Sequence, residues 1–248
     1  TPLTGNRFIR GLMTPLSPES VFFTIQSGWP ADAVLFATVA SINGLKNQES
    51  SIAGLTPPDP EFMRVLALMR QIQLSGAVAL RVRQESTNQQ ITLLSFRSQN
   101  ISPKTLGQIR ELRRLLRLDP EASEFSLAFG YSAVNNKEVA IVTRSIMQQL
   151  ATMASQVDVP AQDLLQGRAT PGWETVQANT NAVRLIRIHS SRRPPPDAFV
   201  SIEYHGHSFW LDDRDLKSKR VFAFMMMLFT LADTGEHPAQ PLVTIPAQ

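Results

Sequence analysis

Residues 60–97 read PEFMRVLALMRQIQLSGAVALRVRQESTNQQITLLSFR, and this stretch decides the fold class. Phe62, Val65, Leu66, Met69 and Ile72 fall at i, i+3, i+4, i+7 and i+10, the single apolar stripe of a helix. Asp59 stands in place to cap it, Pro60 suits its first position, and Gly76 closes it. The period then drops to two. Val78, Leu80 and Val82 alternate with Arg81 and Arg83, and Ile91 to Arg97 offers a partner strand beyond the polar Gln84–Gln90 link. A helix followed by two closely linked strands predicts antiparallel pairing with the helix packed on one face.

Downstream, the pattern predicts a helix over 103–118 with Ser102 as cap and Asp119-Pro120 as stop. Strands are expected over 125–131 and 139–142, and a helix over 143–156. A connector over 158–180 leads to strands at 183–189 and 199–204, set around Arg192-Arg193-Pro194-Pro195-Pro196. His205-Gly206 makes a two-residue turn into a strand at 207–211. A helix over 215–232 and a strand over 242–245 complete the chain. Upstream, residues 1–58 are rich in Pro and Ser, with a helix expected from Ala31 to Asn43 and Gly44 as its stop.

The order helix–strand–strand–helix–strand thus occurs over 61–131 and again over 143–246. The expected class is α+β, a mainly antiparallel sheet with helices on one face. The repeated order reflects either two similar αββαβ halves or the accident that any α+β domain can show such an order. The expected segments are 1–58, a Pro-rich and partly helical extension, then halves at 59–157 and 158–248 that either stand apart or form one continuous domain.

Composition narrows the chemistry. The 248 residues contain no cysteine, which removes disulfides, thiolate metal sites and cysteine nucleophiles together. With 24 Lys+Arg against 21 Asp+Glu the net charge is +3, a slight bias toward anionic partners. The longest apolar run, Val221 to Phe229, is short of the roughly 20 residues a membrane-spanning helix needs. Apolar on every side, the helix containing it is expected to be buried all round, with Phe222, Phe224, Met226 and Leu228 inside. No phosphate loop, dinucleotide fingerprint, GxSxG, HExxH or EF-hand loop occurs, so no cofactor is expected.

Three features could carry function. Arg110, Arg113, Arg114 and Arg117 fall on one helix face and form a basic stripe suited to an anionic surface or partner. Asp212, Asp213, Arg214, Asp215, Lys217, Lys219 and Arg220 crowd a strand-to-helix junction. There Asp213 or Asp215 is suited to capping, and the neighbouring cations disfavour a carboxyl with a raised pKa. His205 and His207 are weak metal candidates without a third ligand. Aromatic residues are not interleaved with the basic ones as single-strand nucleic-acid platforms require.

Ser27-Gly28-Trp29-Pro30, Ser41-Ile42-Asn43-Gly44, the run from Phe209 to Leu216 and the closing Pro241 to Ala247 together resemble uncharacterised predicted lipoproteins of Gram-negative bacteria. In those proteins a lipidated cysteine precedes a start similar to Thr1-Pro2-Leu3. The resemblance implies a periplasmic location with outer-membrane anchoring and no assigned activity. The resulting expectation is a non-catalytic envelope binding or scaffolding protein with an envelope protein as partner. Membrane contact is expected only through a lipid anchor that this sequence does not contain, and nucleic acid is disfavoured. Two alternatives stand beside it: a motif-less hydrolase using the carboxylates from Asp212 to Asp215, and an anionic-ligand or nucleic-acid module using the Arg110–Arg117 face.

Overall fold

The computed structural model describes residues 9–51, 54–86, 89–97, 99–170, 173 and 183–234. The fold is α+β. In chain order, the first elements are α1 (Pro18–Gln26), α2 (Ala31–Thr38), β1 (Val39–Ile42), β2 (Leu45–Lys46), β3 (Glu49–Ser51), β4 (Gly54–Thr56) and α3 (Pro60–Leu74). Next come β5 (Val78–Ser86), β6 (Gln89–Phe96), α4 (Pro103–Leu115), β7 (Glu124–Phe129), β8 (Glu138–Thr143) and α5 (Ile146–Ala154). The remainder is α6 (Ala161–Leu165), β9 (His189–Ser191), β10 (Ala198–Tyr204), β11 (His207–Asp212) and α7 (Leu216–Thr234).

These elements form two compact units. The first unites 15–47 with 59–145, and the second unites 9–14, 48–58 and 146–234. One changeover falls after Pro58, where a break is expected, whereas the later one falls after Ser145 rather than after 157, and residues 15–47 join 59–145 instead of standing apart. Residues 39–46 are two strands of the first unit's sheet rather than part of an extension.

The first unit is a six-stranded sheet of order β2-β1-β8-β7-β6-β5. Every neighbouring pair is antiparallel except β7 and β8. Helices α1 to α4 pack side by side on one face of the sheet. The stripe read from residues 60–74 is the core: Phe62, Val65, Leu66, Met69 and Ile72 are all buried, as are Leu94, Phe96, Phe125 and Ile141 from the sheet. The order α3-β5-β6-α4-β7 matches the expected first half. The parallel pair was not legible. Its connection is only residues 130–137 and contains no helix, whereas parallel crossovers usually take a dozen residues or more.

One helix is shorter than expected. α2 stops at Thr38, and Val39–Ile42 is a strand. Asn43 and Gly44 have φ of 46° and 84°, so the pair forms the tight turn between β1 and β2 rather than a helix stop. The Asn43 side chain then locks this corner. Its Nδ2 donates to Leu116 O at 2.7 Å, and its Oδ1 accepts from Ala140 N at 2.7 Å.

The second unit contains an antiparallel sheet of order β10-β11-β9 and the β3–β4 pair. Here α5, β10, β11 and α7 supply the helix–strand–strand–helix order, with the short β9 inserted, while the expected closing strand at 242–245 lies outside the described residues. The helix expected over 143–156 is shorter, because β8 runs to Thr143 and α5 spans only Ile146–Ala154.

Residues 183–188 are irregular rather than a strand, and their hydrogen bonds give the reason. Val183 N donates to Gln48 Oε1 (2.7 Å), Leu185 N and Ile186 N to Gln156 Oε1 (2.6 and 3.0 Å), and Arg187 N to Ser218 Oγ (2.9 Å). Side chains have taken the place of a neighbouring strand. The turn at His205 and Gly206, with φ of 48° and 75°, joins β10 to β11 as read.

Burial along α7 corrects the expectation of an all-round buried helix. Val221, Phe224, Met225 and Leu228 are buried at i, i+3, i+4 and i+7, whereas Met226 is 51% exposed and Phe222 is half-buried. Composition hid the stripe because apolar residues also occupy the outer face. No helix among the described residues is long and apolar enough to cross a membrane.

Candidate functional site

The basic stripe belongs to α4. Ser102 caps this helix, its Oγ accepting from Thr105 N at 3.1 Å, and Pro103 takes the first turn, where its missing N–H costs nothing. Thr105, Ile109 and Leu112 bury the inner side. The helix ends at Leu115, not at 118. Leu118 N donates to Arg113 O at 2.8 Å and Arg117 N to Arg114 O at 3.2 Å, the paired bonds of a Schellman ending. Arg117 therefore occupies the left-handed position, with φ of 55°, where glycine is usual.

The four arginines do not act alike. Arg113 turns back onto the unit: its Nη1 donates to Pro120 O at 2.6 Å and its guanidinium lies 5.9 Å from the centre of the Phe125 ring. Burial draws its pKa down, against the pull of Glu121 and Asp119. This is an anchoring residue. Arg110, Arg114 and Arg117 are exposed, with no side-chain hydrogen bond or ion pair among the described residues. The one acid on their helix, Glu111, is engaged elsewhere. Both its oxygens accept from Arg64 on α3, each at 2.7 Å, and that fork holds the carboxyl below its ordinary range. The unpaired cations make a surface that can attract an anionic group, without chemistry of its own.

The polar cluster at the β11–α7 junction is architectural. Asp212 Oδ1 accepts from Arg214 N at 2.9 Å in a local turn. Asp213 pairs with Lys219 at 2.6 Å, and Arg214 with Asp197 at 3.3 Å. Asp215 caps α7, accepting from Ser218 N at 3.0 Å and Ser218 Oγ at 2.6 Å. Burial pushes the Asp215 carboxyl up, but hydrogen bonds from Ser218 and the Lys217 backbone outweigh it and leave it below the ordinary value. Lys217 Nζ donates to Arg184 O at 2.6 Å. No hydrogen bond or ion pair involves the Arg220 side chain among the described residues.

His205 lies edge-on to Tyr204, and His207 is half-buried beside it. No group of three His, Cys, Asp or Glu that could hold a metal occurs among the described residues.

Sequence reading missed one cluster entirely. Asp158 Oδ1 accepts from Arg184 Nη2 at 2.6 Å, while its Oδ2 lies 3.5 Å from Arg187 Nε and 3.4 Å from His189 Nδ1. His189 stacks on Trp210 with ring centres 4.3 Å apart. Burial, aided by Arg187 and Arg184 and opposed by Asp158, holds the imidazole below its ordinary 6.5. The cluster clamps the irregular 183–188 segment. Its members are scattered over the stretch from Asp158 to Trp210 at no telling interval, so only the tertiary fold brings them together. No family model, curated protein or solved structure matches the chain.

Proposed function

We propose that the chain is a non-catalytic binding or scaffolding protein of the cell envelope, working in a multiprotein assembly. In this reading it is a processed lipoprotein, periplasmic and anchored at the outer membrane, with an envelope protein as its partner. One observation carries the binding role: Arg110, Arg114 and Arg117 stand exposed and unpaired on the first unit while Glu111 is committed to Arg64. Exposed cations of this kind contribute little to stability, so a contact surface is the use that fits them. The Asp215 carboxyl argues against the hydrolase reading, because an acid catalyst at neutral pH needs its pKa raised rather than lowered.

The test compares the wild-type chain with the triple variant Arg110→Gln/Arg114→Gln/Arg117→Gln as bait for detergent-solubilised envelopes. A defined protein retained by the wild type, released by moderate salt and lost in the variant at unchanged melting temperature is expected. Equal retention by both removes this surface from the proposal. Fractionation of source cells tests location, and recovery of the chain in the cytosol overturns it.

A further inference from the structure

Four strands border the two larger sheets, and three of them are guarded. β2 is two residues long and carries Lys46. β9 is three residues long and runs directly into Arg192, Arg193 and three prolines. β5 is long, but Leu80 N is taken by Gln26 Oε1 from α1 at 2.7 Å, and Arg81 and Arg83 hold Glu124 across the sheet. Short length, charge, proline and covering side chains are the usual protections against edge-to-edge pairing.

β10 has almost none of these. It is seven residues long, pairs among the described residues only with β11, and contains no lysine, arginine or proline. Apart from Ala198 N, which donates to Pro195 O, its backbone makes no hydrogen bond beyond β11 among the described residues. Phe199, Ile202 and Tyr204 are 43%, 64% and 63% exposed. A register shift between Ala198 and Val200 bends only its start, and Val200 to Tyr204 pair in regular register. Such an edge is a template for another strand.

We infer that β10 pairs antiparallel with β10 of a second copy of this chain, centred on Ser201. The register follows from the residues. Centring on Ser201 sets Val200 opposite Ile202, Ala198 opposite Tyr204, and Glu203 opposite Phe199. The only charge in the strand then never meets its own copy. It meets Phe199, whose ring carries Lys219 Nζ at 4.6 Å from its centre, so each Glu203 comes beside a cation of the other copy that Asp213 already holds in place. Beyond the strand ends Asp197 faces His205, again without a like-charge clash. Opposed apolar and opposite-charge pairs are what stabilise neighbouring strands. A shift of two residues in the pairing, which would centre it on Ile202, sets Glu203 against Ser201 and away from Lys219.

The chain has no cysteine, so single cysteines report the register directly. Opposed residues in an antiparallel pair lie ~4.5–5.5 Å apart at Cα, within disulfide range. Ser201→Cys is expected to form a covalent dimer rapidly under mild oxidation, whereas Glu203→Cys, four residues out of register with its own copy, stays uncrosslinked. Without oxidant, sedimentation of the wild type at rising concentration is expected to approach twice the 27.5 kDa chain mass. Ile202→Lys is expected to remain at the single-chain mass, with an unchanged circular dichroism spectrum. A wild type that stays at one chain mass up to several hundred micromolar overturns the inference. So does an Ile202→Lys variant that still associates, or equal crosslinking of the two cysteine variants.

Discussion

The two units solve the same problem with different materials. In the first, the fully buried large side chains are apolar, with Phe62, Phe96, Phe125 and Leu94 sandwiched between helices and sheet. In the second, Gln48 and Gln156 are completely buried and Gln149 nearly so. The first unit satisfies its backbone mainly by strand pairing and helices, with Asn43, Asn47 and Gln73 side chains closing its corners. The second holds an irregular segment by glutamine, serine and arginine side chains. Apolar burial is non-directional and tolerant, whereas a buried amide is worth having only when its partners are in place. The difference extends to the surface: the first unit guards its long edge, and in the second no described residue covers β10.

The largest expected effect tests the apolar interior. Phe62→Ala removes a ring with no solvent exposure and should cost ~3–5 kcal/mol, read as a fall in the urea midpoint. A cost under ~1 kcal/mol would mean that the α3 stripe is not the core.

Gln156→Ala tests the polar clamp. It leaves Leu185 N and Ile186 N without their acceptor, at ~2–4 kcal/mol, and amide exchange should rise at those two positions. Unchanged exchange there would show the glutamine to be dispensable.

Gln149 sharpens the contrast in the opposite direction. Neither end of its buried amide has a hydrogen-bond partner among the described residues. Gln149→Leu keeps the volume and drops the unpaired polar atoms, so a gain of ~1 kcal/mol is expected. A loss would show that the amide is needed where it lies.

The smallest effect is a pH slope. The His189 pKa is lowered on folding, so the folded state binds its proton less readily than the unfolded chain does. Its contribution is complete above the unfolded value of 6.5 and is lost as pH falls below that toward the folded value. Urea midpoints for wild type and His189→Gln should converge on acidification from pH 8 to 5.5. Parallel curves would remove the histidine from the clamp's pH dependence.

Local periodicity made the first unit readable. The α3 stripe and the Ser102 cap rest on interactions within a few residues of one another, and the β5–β6 pair on a short link; in the second unit the His205-Gly206 turn is equally local. The same locality misled at Asn43-Gly44, where helix stop and hairpin turn share a dipeptide and the partner strand decides between them. It misled at Arg117 also, since spacing continued the helix through a residue that the Schellman ending places outside it. In α7, apolar composition could not say which side faces inward, because Met225 and Met226 differ only in what lies opposite them.

By itself, then, the sequence determined the α+β class, most of the helices, the absence of thiol chemistry and the presence of a basic helix face. Each depends on composition or on side-chain spacing along a single element. Tertiary structure alone decided the parallel β7–β8 pair, the Asp158 clamp, the buried glutamines and the separation of Arg113 from its three exposed neighbours. It also decided which edge stayed open, since Gln26 covers β5 from 54 residues away and nothing described covers β10. These depend on which distant residues arrive as neighbours, and a buried polar group or a bare strand edge is defined only by what stands beside it.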